Sequence, residues 1–426
     1  MHKYIIEGSF PIGGKIKANG NKNAALPCIT AALLTDEPVI LRNIPEIEDV
    51  LVLFDILRDL GCSVEKIGHH AFKIQTLNIK TSEISVEKAK KVRASILFAG
   101  PLLARTGKAV FPPPGGDVIG RRRLDTHFIA LNALGAQLTV DGLFTLEANK
   151  LVGKDIFFDE PSVTATENAI MAACLAKGTT VFRNVASEPH VQDLCNMINL
   201  MGGEITGIGS NTLTIVGKKK LKGCEFEICA DFMEVGSFIG LAAVTHGELE
   251  ITHADPQNMR NAKIAFNKLG VHWEQDENNI YVPANQPLKI IRDMGNKIPI
   301  ISNGPWPNFP PDLMSIMVVV ATQAEGTVLI HDKMFDSRMF FVDKLNSMGA
   351  GIILCDPHRA VVNGPGKLNG ADLVSPDVRA GMTMVIAALC AQGKSTIQNV
   401  YQIERGYENI AERLTNLGAK IERVLD

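Results

Sequence analysis

The sequence lacks the patterns that mark secreted, membrane-spanning and metal-binding proteins. Its 426 residues include eight cysteines but no Cys-x-x-Cys pair, and the first residues, MHKYIIEGSF, lack the apolar segment of a signal peptide. The longest apolar runs, SILFAGPLLA and SIMVVVATQA, are shorter than the roughly 20 residues that a bilayer requires. The ten histidines contain no His-x-x-x-His pair, so no metal is expected. We therefore predict a cytoplasmic protein with buried, reduced thiols.

An excess of charge of either sign is also missing. The chain carries 43 lysines and arginines against 46 aspartates and glutamates, for a net charge of -3. Such a balance creates no overall positive field, so we expect neither nucleic acid nor a membrane as a partner, and any anion site must be local. The length predicts two or more domains and leaves the oligomeric state open.

One pattern recurs six times along the chain. Each copy has a β-rich stretch, a turn, an amphipathic helix and a Leu-Gly or Met-Gly pair, followed by another strand. The glycines of these pairs, spaced by 67 to 79 residues, are Gly61, Gly135, Gly202, Gly270, Gly349 and Gly418. Glycine in this place is typical of the residue that follows a helix. The pattern predicts an α/β protein in which three copies make one domain.

The predicted domain boundaries follow from these copies. The first domain is expected over residues 22–231. The second is expected to be discontinuous, over residues 1–21 and 232–426, because the N-terminal stretch KYIIEGSFPIGGKIKANG resembles the start of the second half. Segments such as SILFAGPLLARTG and ATENAIMAACLAKG are apolar almost all round and should form buried helices.

Basic and amide side chains recur beside turns and expected helix starts. They are Lys22, Asn23, Arg93, Arg338, Arg379 and Arg405. The first turn of a helix offers free N–H groups to an anion, and arginine adds a two-pronged donor. A single such residue is more often solvated or capping, but the recurrence favours a convergent site for phosphate and carboxylate groups. No P-loop explains this set, since arginines follow the G-x-x-x-x-G spacing that begins at Gly115.

Two aspartates stand out beside the basic residues. Asp117 lies in the Pro-Gly-rich stretch FPPPGGDVIGRRRLDTH, and Asp312 follows two prolines and precedes an apolar helix. Each has a plain alternative, namely a solvated surface turn for Asp117 and a helix N-cap for Asp312. The functional interpretation is that a mobile loop delivers the acid Asp117 to an anionic substrate, and that Asp312 lies at a domain cleft.

Seven motifs together carry a resemblance to a known family. In chain order they are NKNAALP, RASILFAGPLLAR, PGGDVIGRRRLDTH, SVTATENAIMAA, FPPDLMS, DVRAGM and IERGYENI. This set resembles the UDP-N-acetylglucosamine enolpyruvyl transferases (1-carboxyvinyltransferases). The resemblance implies two domains of three βαβαββ repeats each, an inside-out α/β barrel with its active site in the interdomain cleft. It implies that the enolpyruvyl group of phosphoenolpyruvate moves to the 3′-hydroxyl of UDP-N-acetylglucosamine with release of phosphate. This is the first committed step toward peptidoglycan, and it uses no cofactor.

The resemblance also implies roles for single residues. Phosphoenolpyruvate is expected to contact Lys22, Asn23, Arg122 and Arg405, with Arg338 and Arg379 near its anionic groups. The residues expected on the nucleotide-sugar side are Arg93, Arg122, Arg123, Leu124, Asp125, Thr126, Ser162, Val163, Asp312 and Met334. Asp312 is expected to take the hydroxyl proton. Asp117 stands where the family usually has a cysteine, and it is expected to protonate C3 of phosphoenolpyruvate.

Besides Asp117, three positions depart from the family pattern, and the stretch SNGPWPNFPPD before Asp312 is unusual for it. Arg123 replaces a usual proline, Glu160 replaces a frequent lysine, and Asp336 replaces a usual glutamate. Two alternatives therefore stay open: a transferase with another acceptor, such as a different nucleoside or shikimate 3-phosphate, and a silent homologue that only binds nucleotide-sugar. The aspartate at position 117 further implies resistance to the epoxide fosfomycin, which alkylates the family's cysteine.

Overall fold

Six small sheets are the repeated feature of the computed structural model, which describes residues 2–116 and 122–425. In five of them, which have four strands each, one edge strand pairs in parallel with its neighbour, and the other two pairings are antiparallel. The sixth sheet has three antiparallel strands, and a parallel bridge between Glu83 and Val110 takes the place of its outer strand. The shared pairing confirms the six repeats expected from the sequence.

The chain divides into two compact units with three sheets each. One unit comprises residues 20–116 and 122–229, which we call the middle unit. Its strands are Val39–Arg42, Ser63–Gly68, Ala71–Gln75, Lys108–Phe111, Gln137–Asp141, Leu143–Glu147, Asp155–Phe157, Thr179–Arg183, Ile205–Thr206, Thr212–Val216 and Cys224–Glu227. Its helices are Lys22–Ala31, Glu48–Asp59, Val86–Lys91, Ala99–Thr106, Asp125–Ala133, Val163–Ala173 and Pro189–Leu200, with 3₁₀ turns at Ala32–Leu34 and Arg93–Phe98.

The other unit joins the two ends of the chain, residues 2–19 and 230–425, and we call it the terminal unit. Its strands are His2–Glu7, Gly14–Lys17, Leu249–Thr252, Glu274–Gln275, Ile280–Val282, Ile300–Ser302, Gly326–His331, Ile352–Asp356, Arg359–Gly364, Asp372–Val374, Lys394–Gln398 and Lys420–Leu425. Its helices are Phe232–Val244, Arg260–Lys268, Met314–Gln323, Val342–Ser347, Val378–Cys390, Tyr401–Glu404 and Ile410–Asn416, with 3₁₀ turns at Pro256–Met259 and Pro311–Leu313.

Each of the six repeat glycines ends a helix, as the sequence predicts. Their φ angles lie between 75° and 114°, a region that glycine reaches without strain. The N–H group of the residue after each glycine bonds to the carbonyl oxygen of the residue four positions before that glycine. Examples are Cys62 to Leu57 around Gly61 and Ala419 to Leu414 around Gly418. This pattern is the hydrogen-bonded helix stop that glycine favours.

Apolar helices lie inside each unit, and the sheets lie outside them. In the terminal unit, every residue of helix Phe232–Val244 is buried, and this helix packs against helices Met314–Gln323 and Val378–Cys390. The side chains of the strands alternate in burial, as in Gly326–His331, where Val328 and Ile330 are buried and their neighbours are only partly buried, which is typical of a sheet with one face toward solvent. Helices inside and sheets outside are the inside-out α/β arrangement implied by the resemblance. Each unit has its own hydrophobic core.

Helix length and cysteine burial in the structure bear on the predictions about membrane spans and buried thiols. Across residues 2–116 and 122–425, no helix is both long and apolar enough to cross a bilayer. The eight cysteines, all of which lie within the described residues, form no disulfide bond, and Cys28, Cys62, Cys174 and Cys195 are buried. Burial raises the pKa of the Cys28 and Cys174 thiols, so these side chains are protonated at neutral pH. Cys224, Cys229 and Cys390 are only partly buried and Cys355 is exposed, so the expectation of buried thiols holds for four of the eight.

Candidate active site

Asp312 forms ion pairs with two arginines in the terminal unit. It lies in the 3₁₀ turn Pro311–Leu313 and caps no helix with its side chain. Arg338 Nη1 donates to Asp312 Oδ1 at 2.5 Å, and Arg379 Nε donates to Asp312 Oδ2 at 3.0 Å. The N-cap alternative for Asp312 is therefore wrong, and the structure brings together three of the residues singled out in the sequence.

The two arginines determine the protonation state of Asp312. Burial by itself raises the pKa of this carboxyl group, but the charges of Arg338 and Arg379 outweigh burial and hold the pKa well below its usual range. Asp312 is therefore ionised, as a base must be, but the paired guanidinium groups weaken its basicity. An anion that draws either guanidinium away would strengthen Asp312 as a base.

Arg379 is a buried arginine whose guanidinium group does not use all of its hydrogen-bond donors within the described residues. It is the second residue of helix Val378–Cys390, and its guanidinium carbon lies 5.4 Å from the centroid of the Tyr407 ring. The Tyr407 hydroxyl in turn hydrogen-bonds with Ser237 Oγ at 2.9 Å. Among the described residues, Arg379 Nη1 is buried without a hydrogen-bond acceptor. A buried donor left in this state is costly, so an anionic oxygen would be stabilised beside it.

Arg405 and Met334 lie elsewhere in the terminal unit. Arg405 follows the one-turn helix Tyr401–Glu404, whereas the next helix, Ile410–Asn416, begins after Asn409. The expectation that Arg405 stands at a helix start is therefore wrong, and any affinity for an anion must come from its guanidinium group. That group is largely buried and lies 5.9 Å from the centroid of the Tyr401 ring. Met334 lies in an exposed turn, where its N–H group donates to Asp332 Oδ1.

Lys22 and Asn23 open helix Lys22–Ala31 of the middle unit. Lys22 Nζ pairs with Asp49 Oδ2 at 2.5 Å, and the two side chains are only 12% and 7% exposed. Asn21 caps the helix, since its Oδ1 accepts from the N–H groups of Asn23 and Ala24. These two N–H groups are thus satisfied within the protein. The anion-binding capacity of this helix start therefore comes from the lysine more than from free backbone donors.

Arg93 holds the backbone of the segment that follows the Pro-Gly loop. It begins the 3₁₀ turn Arg93–Phe98, and its Nη2 donates to the carbonyl oxygens of Arg122 at 2.9 Å and Arg123 at 3.3 Å. Burial, and then the charge of Arg122, lower the pKa of Arg93 to about 10, so Arg93 stays protonated at neutral pH. The Arg93 guanidinium, which the resemblance implies should contact nucleotide-sugar, therefore bonds to protein backbone in this structure.

Arg123 and Thr126 both donate hydrogen bonds to one carboxylate that the sequence analysis did not single out. Thr126 Oγ1 donates to Asp159 Oδ1 at 2.7 Å, and Arg123 Nη2 donates to Asp159 Oδ2 at 3.3 Å. Arg123 Nε also donates to Asp125 Oδ2 at 3.0 Å. The charge of Arg123, the residue that replaces the usual proline, is therefore neutralised by Asp125 and Asp159. Leu124 is the residue before helix Asp125–Ala133 and packs against the core.

A buried histidine links the helix after this segment to the helix that begins at Val163. His127 Nδ1 lies 3.0 Å from Asn168 Nδ2, an amide donor, so Nδ1 accepts, and the protonated Nε2 donates to Thr164 Oγ1 at 3.1 Å. Burial, and then the charge of Arg93, lower the pKa of His127 to about 3. Neutral His127 thus fixes Ser162 and Val163, at the start of their helix, relative to Arg123–Thr126.

The ring of His127 should stay neutral well below the ordinary histidine pKa of about 6.5. Because the folded pKa is below the unfolded one, the network stabilises the middle unit above pH about 6.5, and this stability is lost as pH falls toward about 3. Proton–carbon NMR of the imidazole, assigned with His127→Phe, should show no titration between pH 8 and pH 5. A midpoint near the ordinary value would contradict the proposed hydrogen bonds.

Asp117 lies outside the described residues, as does Arg121. The residues just before Asp117 are described. The N–H group of Gly115 bonds to the carbonyl oxygen of Ala89, and Gly116 has a φ angle of 100°. A Cβ atom on Gly116 would lie 2.8 Å from Arg93 Cβ, so only glycine fits there.

Several side chains of these sites were missed in the sequence. Asp49, Asp159, Asp332 and Tyr407 each bond or pack against a residue singled out above. Only Asp49 carried a local signal, as an acidic residue in the first turn of helix Glu48–Asp59. Of the departures from the family pattern, Glu160 accepts the Ser162 N–H through its carbonyl oxygen, and Asp336 is exposed. Among the described residues, no group of histidine, cysteine or carboxylate side chains could hold a metal ion.

Comparison with known proteins gives a consistent set of relatives. The family model of EPSP synthase (3-phosphoshikimate 1-carboxyvinyltransferase) matches residues 6–414. A UDP-N-acetylglucosamine 1-carboxyvinyltransferase from Treponema denticola is 64% identical over 422 residues, which cover 99% of both chains. The proteins of the same name from Borreliella burgdorferi and Bradyrhizobium diazoefficiens are 61% and 53% identical, and the matches cover at least 98% of each chain.

Solved structures with low sequence identity share the fold. The enolpyruvyl transferase NikO from Streptomyces tendae superimposes with a TM-score of 0.89 at 22% identity, covering 99% of both chains. EPSP synthase from Acinetobacter baumannii superimposes with a TM-score of 0.78 at 18% identity over the whole of both chains. At these identities the likeness concerns the fold alone.

Proposed function

Because the chain belongs to the EPSP synthase family of 1-carboxyvinyltransferases, we propose that it transfers the enolpyruvyl group of phosphoenolpyruvate to the 3′-hydroxyl of UDP-N-acetylglucosamine. Phosphate is released, and the product is the first committed intermediate of peptidoglycan synthesis. The acceptor is supported by full-length relatives at 53% to 64% identity that carry the name of this activity.

The observation that best supports the chemistry is the ionised Asp312 between Arg338 and Arg379. Transfer requires a base for the sugar hydroxyl and cations for the phosphate and carboxylate of phosphoenolpyruvate. Asp312 supplies the base, and the two arginines turn to the anionic groups of the substrate. Their move weakens the ion pairs that hold the Asp312 pKa down, so substrate binding itself strengthens the base.

The remaining residues divide between the two substrates. Lys22, Asn23, Arg122 and Arg405 hold phosphoenolpyruvate, and Asp117 protonates its C3 as the sugar oxygen bonds to C2. As the C2–O bond to phosphate then breaks, a proton returns from C3 to the Asp117 carboxylate and the enol ether remains, while the hydroxyl proton taken by Asp312 leaves with the phosphate. The nucleotide-sugar side is supplied by Arg93, Arg122, Arg123, Leu124, Asp125, Thr126, Ser162, Val163 and Met334.

Phosphate release provides the first test of this function. Phosphoenolpyruvate is incubated with the enzyme alone, with UDP-N-acetylglucosamine and with shikimate 3-phosphate. Release is expected only with UDP-N-acetylglucosamine. Release with shikimate 3-phosphate instead would assign another acceptor, and nucleotide-sugar binding without any release would identify a silent homologue.

Arg405→Lys should impair the enzyme although the charge is kept. Lysine lacks the planar pair of donors with which arginine grips a phosphate, so both turnover and the apparent affinity for phosphoenolpyruvate should fall. Steady-state kinetics with phosphoenolpyruvate as the varied substrate measure both quantities. The matched control is Arg359→Lys, at an exposed arginine that pairs with Asp356. Unchanged kinetics in Arg405→Lys would show that Arg405 is only structural.

A further inference from the structure

A buried amide–carboxylate pair connects the chain segments that carry Asp312 and Arg338. Asn303 Nδ2 donates to Asp332 Oδ1 at 2.7 Å, and the two residues are 2% and 0% exposed. Neither residue belongs to the proposed chemistry. Both lie in the terminal unit, at the ends of the neighbouring parallel strands Ile300–Ser302 and Gly326–His331.

Asp332 orders the turn that leads to Arg338. Its Oδ1 also accepts from the N–H groups of Met334 at 3.0 Å and Phe335 at 3.2 Å. The Arg338 guanidinium carbon then lies 4.2 Å from the centroid of the Phe335 ring, a cation–π contact. The Asp332 carboxylate therefore sets the place of Phe335, and through it the place of Arg338.

Asn303 orders the other segment. Its Oδ1 accepts from the N–H group of Lys333 at 2.7 Å, so its amide bonds to the turn through both of its polar atoms. On its own side, Asn303 forms a bridge with Phe309, and the N–H group of Gly304 bonds to the Phe309 carbonyl oxygen at 3.2 Å. This short loop delivers the chain to the Pro311–Leu313 turn, where Asp312 lies.

We propose that Asn303 and Asp332 are positioning residues that hold Arg338 against Asp312. The inference rests on the proposed function only for its catalytic consequence. The Asn303–Asp332 pair is buried, so breaking its hydrogen bonds would leave donors unsatisfied at a cost in free energy. The pair therefore fixes the distance between the segment that carries Asp312 and the segment that carries Arg338. The transfer then starts from a base whose ion pair with Arg338 is already formed and can be exchanged for substrate.

The direct test is the titration of the Asp312 carboxyl, which needs no activity. The charged groups that face Asp312 are Arg338 and Arg379, and Tyr407 and Asp231 face Arg379 in turn. Asn303→Ala alters none of these groups and only loosens Arg338. The midpoint of the Asp312 titration is therefore expected to rise by about one pH unit, the lower end of what a neighbouring opposite charge contributes.

Carbon-13 NMR of protein labelled at aspartate carboxyl groups measures this midpoint, with the resonance assigned by Asp312→Asn. The matched control is Asn346→Ala in the same unit, where the lost amide makes two hydrogen bonds, both with Ile352. Asp332→Asn keeps the oxygen that accepts three hydrogen bonds and changes only Oδ2, which has no partner among the described residues. It should shift the midpoint less than Asn303→Ala does.

An unchanged Asp312 midpoint in folded Asn303→Ala, or an equal shift in Asn346→Ala, would overturn the proposal. If the alanine variant does not fold, Asn303→Ser serves the same test, because serine keeps an acceptor but removes the amide donor. Turnover adds the catalytic consequence: Asn303→Ala should lose about 10-fold in kcat, within the range that misplaced groups cost. An inactive wild type would refute the proposed function, whereas the NMR midpoint would still decide the positioning role.

Discussion

Asp312→Asn is expected to lower turnover by roughly 10²-fold or more, the usual scale for a lost general base. The amide keeps the shape of the side chain, but it cannot take a proton from the sugar hydroxyl. It also leaves Arg338 and Arg379 without the carboxylate that neutralises them. Binding of UDP-N-acetylglucosamine should change little, because we propose that other residues hold the nucleotide.

The measurement for Asp312 combines steady-state kinetics with calorimetric binding of UDP-N-acetylglucosamine. Asp343→Asn is the matched control, since Asp343 is an exposed aspartate of the same unit, in the first turn of helix Val342–Ser347. Thermal unfolding of both variants separates a lost base from a lost fold. A folded Asp312→Asn enzyme with near-wild-type turnover would remove Asp312 from the mechanism.

Asp117→Asn is expected to abolish nearly all activity, because an amide has no proton to give to C3 at neutral pH. Asp117→Cys should remain active, since a thiol can donate a proton. It should also become sensitive to fosfomycin, because a thiolate is a strong nucleophile toward an epoxide and a carboxylate is far weaker. The wild-type enzyme should therefore resist the inhibitor.

Time-dependent loss of activity with fosfomycin, in wild type and in Asp117→Cys, measures this difference. The native cysteines are poor substitutes, because burial raises the pKa of the Cys174 and Cys195 thiols. Cys355 is exposed, so Cys355→Ser is the control that excludes alkylation there. Rapid inactivation of the wild type would show that the reactive group lies elsewhere. An active Asp117→Asn enzyme would show that Asp117 is not the acid that protonates C3.

The repeats could be predicted from the sequence because their signals are local. A glycine after an amphipathic helix determines the helix end by itself, and all six repeat glycines adopt the positive φ angle that this role requires. Helices such as Val163–Ala173 were predicted to be buried because their apolar residues leave no polar face, and nearly every residue of this helix is buried. Such features depend on residues within a few positions of one another.

The contacts of the candidate site could not be predicted, because they join residues far apart in the chain. Asp312 pairs with Arg338 and Arg379, and nothing in its neighbouring sequence indicates either partner or excludes an N-cap. The position of Arg405 was mistaken because a motif rich in polar residues does not reveal that a one-turn helix ends there. Asn303 and Asp332 gave no signal, since a hydrogen bond between two strand ends appears only once the strands are paired.

The most direct measurement is the mass and structure of the product formed from phosphoenolpyruvate and UDP-N-acetylglucosamine. Mass spectrometry and proton NMR of the reaction mixture should show the nucleotide-sugar with one enolpyruvyl group on its 3′-oxygen, together with an equal amount of phosphate. With phosphoenolpyruvate omitted, the nucleotide-sugar should be recovered unchanged. Unmodified UDP-N-acetylglucosamine after prolonged incubation with folded enzyme and both substrates would contradict the proposed function.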